Sequence, residues 1–167
     1  MMPWVVLVGF VSTLYAITWL ILALSGGSFL TLIGITVVFV LLLWGALIWE
    51  RLGAARAFRK AFPEKDLLIV LTDSPHWQPY IEEHWMARWG ERAVLFNRSR
   101  PWETNQPEAR LWNAVKGVQE HTPLAVVVRD LRRPRVIRFF KAFRDFKHGK
   151  EAALRAKEEE LVSALNE

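Results

Sequence analysis

The sequence predicts an α/β protein in two parts. Residues 1–49 form a two-helix transmembrane hairpin, and residues 66–167 form a small domain with the element order β-α-β-α-β-β-α. Three observations lead there. No Asp, Glu, Lys, Arg or His precedes Glu50, so all 22 Lys and Arg and all 17 Asp and Glu follow Trp49. Within the uncharged part, residues 4–24 and 29–49 are two apolar stretches of about 20 residues, the length a helix needs to span a hydrocarbon core of about 30 Å. Beyond Asp66 the hydrophobic period changes, and short continuous apolar runs alternate with amphipathic stretches.

The hairpin follows from the polar turn Ser25-Gly26-Gly27-Ser28 between the two stretches, which makes the helices antiparallel neighbours. Gly9, Ser12 and Ala16 recur at helical spacing and would admit close backbone approach to the second helix. Trp4, Trp19, Trp44 and Trp49 lie toward the ends of the spans, where indole rings favour the interface. A cleaved signal peptide fits less well, because Met-Met-Pro supplies no basic n-region. Arg51, Arg56, Arg59, Lys60 and Lys65 crowd after the second span, whereas the turn carries no charge. Basic residues are retained on the cytoplasmic side, so a two-pass protein of the inner cell membrane with both termini cytoplasmic is expected. Residues 50–65 read as a basic juxtamembrane helix or linker, with Leu52, Ala55, Phe58 and Phe62 as its apolar stripe and Pro63 as its end. Arg51, Arg56, Arg59 and Lys60 would then meet anionic headgroups.

The domain begins with the run 67–71, a strand buried on both faces. Ser74 and Pro75 read as an N-cap followed by proline at the first helical position. Trp77, Ile81, Trp85 and Trp89 then recur every four residues up to Gly90, as on one face of a helix. Residues 93–96 are a second strand. Residues 108–119 are a second helix with Leu111, Trp112, Val115 and Val118 inward. Residues 124–128 are a third strand, a turn at 130–134 follows, and 136–140 pair back as a fourth. Residues 150–165 are a closing helix with a Glu151–Arg155 pair at i,i+4 spacing. Residues 137–148 fit both a strand and a basic amphipathic helix of the kind that lies on membranes; strand is expected for the first half, loop or helix for the second.

In this order, and in two local features, residues 66–165 resemble the thioredoxin-like fold. His121-Thr122-Pro123 stands directly before the third strand, where that family places a cis-proline. Trp77-Gln78-Pro79-Tyr80 lies early in the first helix, where it carries its Cys-x-Pro-Cys motif. The resemblance implies a cis Thr122–Pro123 bond. It does not carry redox activity, because the chain has no cysteine. That absence also excludes disulfides, thiolate nucleophiles, Cys-ligated zinc and iron–sulfur clusters.

Ligands of open α/β sheets gather at the carboxyl ends of parallel strands. If the first two strands are adjacent and parallel, Asp73-Ser74-Pro75-His76 and Asn97-Arg98-Ser99-Arg100 face one crevice. A helix N-terminus with Arg98 and Arg100 would suit a phosphate or carboxylate, Asp73 and His76 are the candidate acid or base, and Ser74, Asn97, Thr122 and Pro123 would complete the lining. Against this stands ordinary capping beside a solvated arginine loop. No glycine-rich phosphate loop, nucleophile elbow or dinucleotide fingerprint is present, so no cofactor is implied. His76 and His84 are eight residues apart, about 12 Å along a helix, and no histidine pair has metal-ligand spacing. The run Arg129, Arg132, Arg133, Arg135, Arg138, Lys141, Arg144, Lys147, Lys150 is the densest positive stretch of a chain with net charge +5. The tether disfavours nucleic acid as its target, leaving anionic lipid or an acidic protein partner. The leading expectation is a membrane-anchored, non-enzymatic interaction or scaffold module. The alternatives are a membrane-bound enzyme or anion-binding protein using the crevice, and an accessory subunit of a larger membrane complex.

Overall fold

The computed structural model describes residues 3–24, 26, 29–129 and 133–167. Most of the turn at 25–28 and the tip of the turn at 130–134 lie outside the described residues, as does the side chain of Trp4. The chain divides into two units, Met1–Trp49 and Glu50–Glu167.

The first unit contains α1, Pro3–Leu24, and most of α2, Phe29–Ala61. From Ile33 onward α2 contains an 18-residue window of mean hydropathy 2.2, none of it buried, and is long and apolar enough to cross a membrane. On α1, Tyr15 meets α2: its hydroxyl lies 2.5 Å from Thr36 Oγ1, and its ring stacks on Phe39 with centroids 4.3 Å apart. This contact sets the rotation of α1 and corrects the expected packing stripe. No described atom lies within 4 Å of where a Gly9 Cβ would stand, and Ser12 and Ala16 are exposed.

The second unit is a four-stranded sheet of order β2-β1-β3-β4 covered by helices on both faces. Its strands are β1 Leu67–Leu71, β2 Ala93–Asn97, β3 Leu124–Val127 and β4 Arg135–Arg138. β1 pairs parallel with β2 and antiparallel with β3, which pairs antiparallel with β4. Alternation along β1 explains its continuous apolar run. Leu67, Ile69 and Leu71 join one core with Trp85, Phe139, Phe143 and Leu161, while Leu68 and Val70 join another with Phe58, Leu111 and Trp112. The second core includes Ala54, Ala55 and Phe58 from the last turns of α2, so the stretch read as a juxtamembrane linker is an integral element of the folded unit. The expected apolar stripe there is present: Ala55 and Phe58 are buried, and Leu52 and Phe62 half-buried.

Between β1 and β2 the helix starts later than the capping pattern implied. Residues 75–77 form a turn, with His76 N–H donating to Ser74 Oγ, and α3 begins at Gln78. Pro79 is the reason. In a helix starting at Pro75 it would sit in the interior, without an N–H and against the carbonyl four residues back; starting at Gln78 puts it in the tolerant first turn. α3, Gln78–Tyr80, passes into a π-helical turn, Ile81–Trp85, and then α4, Met86–Trp89. A strict four-residue spacing drifts by about 40° per repeat on an α-helix. The wider turn takes up that drift and keeps Ile81, Trp85 and Trp89 together in the core. Gly90 ends the segment, since a Cβ there would lie 2.5 Å from Met86 O.

α5, Pro107–Val115, starts with proline in its first turn and buries Leu111, Trp112 and Val115. It ends before Val118, which is fully exposed rather than inward. The Glu120 carboxylate draws the chain away: it accepts from Gly117 N–H at 2.9 Å and from both arms of Arg138 on β4 at 2.7 and 2.8 Å. The ambiguous stretch resolves into β4 followed by α6, Phe140–Lys147. A Schellman turn closes α6, with Gly149 at φ +78°, Gly149 N–H on Phe146 O and Lys150 N–H on Asp145 O. α7, Ala152–Asn166, follows and carries the Glu151–Arg155 pair at 2.6 Å. Arg92 and Arg129 cap its C-terminus on the carbonyls of Leu165 and Ala164. The Thr122–Pro123 bond before β3 is cis.

Candidate functional site

β1 and β2 are adjacent and parallel, and Leu71 stands opposite Asn97, so the two polar clusters do begin at the same level. Their nearest members bind each other. Asn97 Nδ2 donates to Asp73 Oδ1 at 2.6 Å, Ser99 N–H to Asn97 Oδ1 at 2.9 Å, and Asp73 N–H to Ser99 Oγ at 3.0 Å. Arg98 N–H closes the end of the ladder on Leu71 O at 2.8 Å. β3 starts beside this end, and Thr122 Oγ1 lies 3.1 Å from Thr72 Oγ1 with Thr122 and Pro123 buried. Trp77 Nε1 donates to Thr72 O.

The remaining side chains have separate partners. His76 sits on the turn that Pro79 enforces and lies against α6, its Nε2 3.3 Å from Lys147 Nζ. The Arg98 guanidinium stacks over Trp112 of α5, 4.8 Å from the ring centroid. Arg100 lines a cavity of about 210 Å³ with Asn97, Trp102, Gln106 and Glu82. Ser74 serves the 75–77 turn through its hydroxyl and carbonyl. The turn at 75–77 moves the start of the helix from Pro75 to Gln78. Among the described residues no group of three His, Asp or Glu could hold a metal ion.

Of the basic residues after the second span, Arg51 donates to Ala114 O at 3.2 Å and Arg59 to Lys65 O at 3.1 Å. Lys65 caps the end of α4 on Gly90 O and Glu91 O. Arg56 and Lys60 are exposed.

Two polar centres have no local signal in the sequence. Glu158 on α7 accepts from Trp85 Nε1 at 2.7 Å and Tyr80 Oη at 3.0 Å, pinning the π-helical turn to the closing helix. Burial, and then the Glu158 charge and hydrogen bond, push the Tyr80 phenol up to about 12. Glu120, with its side chain 7% accessible, is held below the ordinary carboxylate range chiefly by Arg138 and also by Gly117 N–H, against the opposing effect of burial. In both centres the partners are distant in sequence, except for Gly117, so neither spacing nor periodicity marks them.

The class that this geometry defines is a mixed α/β protein with a four-stranded sheet and, among the described residues, one helix long and apolar enough to cross a membrane. No family model, curated protein or solved structure matches the chain.

Proposed function

We propose that this chain is a two-pass protein of the inner cell membrane whose cysteine-free, thioredoxin-like domain serves as a non-enzymatic interaction module on the cytoplasmic face. α1 and α2 form its membrane hairpin, and the basic residues after Trp49 hold both termini inside. The observation that carries the reading is the course of α2. One uninterrupted helix supplies both the membrane-length apolar window and Ala54, Ala55 and Phe58 of the domain core. α2 therefore joins the two units without an intervening loop. The order β1, α3–α4, β2, α5, β3, β4, α7, with α6 as an addition between β4 and α7, supports the thioredoxin-like part. The mutual pairing of Asp73, Asn97 and Ser99 supports an interaction role over a catalytic one, since these groups are engaged with each other.

Two measurements test it. The chain should resist alkaline carbonate and leave membranes only with detergent. A reporter fused after Glu167 should be active in the cytoplasm alone; activity on the far side would overturn the topology, and release by carbonate would overturn the anchor.

A further inference from the structure

We infer that the outer face of α6 is a docking surface for anionic lipid headgroups, reached by charge alone and without insertion of the helix. The inference rests on the membrane-anchored reading above and names the partner of that domain.

The sequence of α6 suits a helix that dips its phenylalanines into a bilayer, but the structure has committed them elsewhere. Phe143 is buried with Phe139 in the core. Phe146 packs edge-on to Tyr80, and Phe140 lies between Trp77 and a stacked His121. What remains outside is a stripe at i, i+3 and i+6, Lys141, Arg144 and Lys147, all exposed, continued past the Gly149 turn by exposed Lys150.

The stripe differs from the basic residues around it in being unneutralised. On β4 and α7, and just before β2, each cation has an acid: Arg135 with Glu160 and Glu167, Arg138 with Glu120, Arg155 with Glu151, Lys157 with Glu160, and Arg92 with Asp66. Among the described residues, Lys141, Lys147 and Lys150 pair with no carboxylate. Lys147 meets only the His76 ring nitrogen, and Arg144 reaches only its neighbour Asp145, at 4.0 Å. A row of exposed cations without internal partners attracts an anionic surface, and the membrane-length helix of the same chain keeps one within reach. An array of headgroups also suits this stripe better than one acidic peptide does, because the phenylalanines that could anchor a peptide in register are engaged with the domain's own aromatic rings and core.

The absence of native cysteine makes the test direct. A single His148→Cys, at the end of the stripe, is labelled with a donor fluorophore in the full chain. The chain is reconstituted in phosphatidylcholine vesicles, with or without about a quarter phosphatidylglycerol, carrying acceptor-labelled lipid. Ala156→Cys on the exposed side of α7 is the control. Energy transfer at His148→Cys should rise with phosphatidylglycerol and collapse in 1 M salt, where the screening length falls to about 3 Å. Neutralising K141Q/R144Q/K147Q should lower the docked-to-undocked ratio about 100-fold, at roughly fivefold per basic residue, while unchanged near-ultraviolet circular dichroism reports an intact fold. Transfer that is equal in the two vesicle types, or unaltered by the triple substitution in a folded chain, overturns the proposal. So does a label that responds to polyglutamate but not to vesicles, which would make the stripe a protein-docking surface. Alkaline carbonate separates this from failure of the anchor: a chain released by carbonate but still floating with phosphatidylglycerol vesicles loses the anchor and keeps the stripe.

Discussion

Phe58→Ala tests whether the end of α2 belongs to the domain. Phe58 is 0% exposed, packs at 5.2 Å against the Phe62 ring, and lies in one core with Leu68, Val70 and Leu111. Removing a fully buried phenylalanine ring costs about 3–5 kcal/mol, from lost transfer energy and the cavity left behind. In a domain of this size that corresponds to a fall of about 10–20 °C in the unfolding midpoint. Near-ultraviolet circular dichroism of the full chain in mild detergent is the assay, because Trp85, Trp89 and Trp112 are buried in the domain and lose their fixed surroundings when it unfolds. Lys60→Ala, exposed on the same helix, should change the midpoint by under about 2 °C. Phe58→Leu keeps most of the volume and should cost about 1 kcal/mol, so a graded response remains readable if the alanine variant does not fold. A Phe58→Ala midpoint within about 2 °C of the parent would show that residues 50–61 lie outside the cooperative unit, and the assignment of the end of α2 to the domain core would fall.

Three further outcomes follow from the polar centres and one backbone site. Glu120 is depressed in the folded state, so its stabilisation is present above the ordinary carboxylate pKa and lost as pH falls through the folded value. Glu120→Gln should weaken the domain by about 1–2 kcal/mol at neutral pH, because Arg138 is half exposed, and should flatten the acid limb of a urea-denaturation series. Tyr80 is raised to about 12, so its contribution is intact below the unfolded phenol value near 10 and is lost as pH climbs between them. Tyr80→Phe should remove that part of the alkaline decline in thermal midpoint, and an alkaline limb identical to the parent's would refute the Glu158 contact. Gly149→Ala places a Cβ at φ +78° and should cost about 1–2 kcal/mol, visible as a shifted denaturation midpoint with an unchanged slope.

The parts of the fold that were legible in the sequence are those governed by burial. Leu67–Leu71 is buried on both faces, which explains a run without alternation, and the four-residue spacing of Ile81, Trp85 and Trp89 does mark a core face. What could not be read was set by single residues acting on backbone geometry or across long separations. Pro79 delays the helix that the Ser74-Pro75 pattern predicts, and on the resulting turn His76 meets Lys147. Glu120 ends α5 early by reaching Arg138, a partner whose position depends on β4 already being paired. The candidate crevice was therefore half legible. Strand adjacency brought Asp73 and Asn97 together as the topology required, whereas the directions of Arg98 and Arg100 depended on Trp112 and Trp102, which no spacing rule connects to them.

The basic segment shows the same division from the side of charge. In the sequence, residues 129–150 form a single positive run, and their summed charge invites one interpretation for all of them. In the fold the run splits by partner. Arg129 is spent on the carbonyl of Ala164, Arg135 and Arg138 on Glu160, Glu167 and Glu120, each a structural bond closing β3 or β4 against a neighbouring helix or loop. Solvent-exposed pairs of this kind contribute little stability individually, but they remove their cations from the pool available to an external anion. Among the described residues, α6 turns its phenylalanines inward and leaves Lys141 and Lys147 without a carboxylate, with Arg144 4.0 Å from Asp145. The binding potential of a basic sequence thus depends less on its net charge than on how many of its cations the fold leaves unpaired. By that measure the active part of this run is α6 and the residue just beyond it.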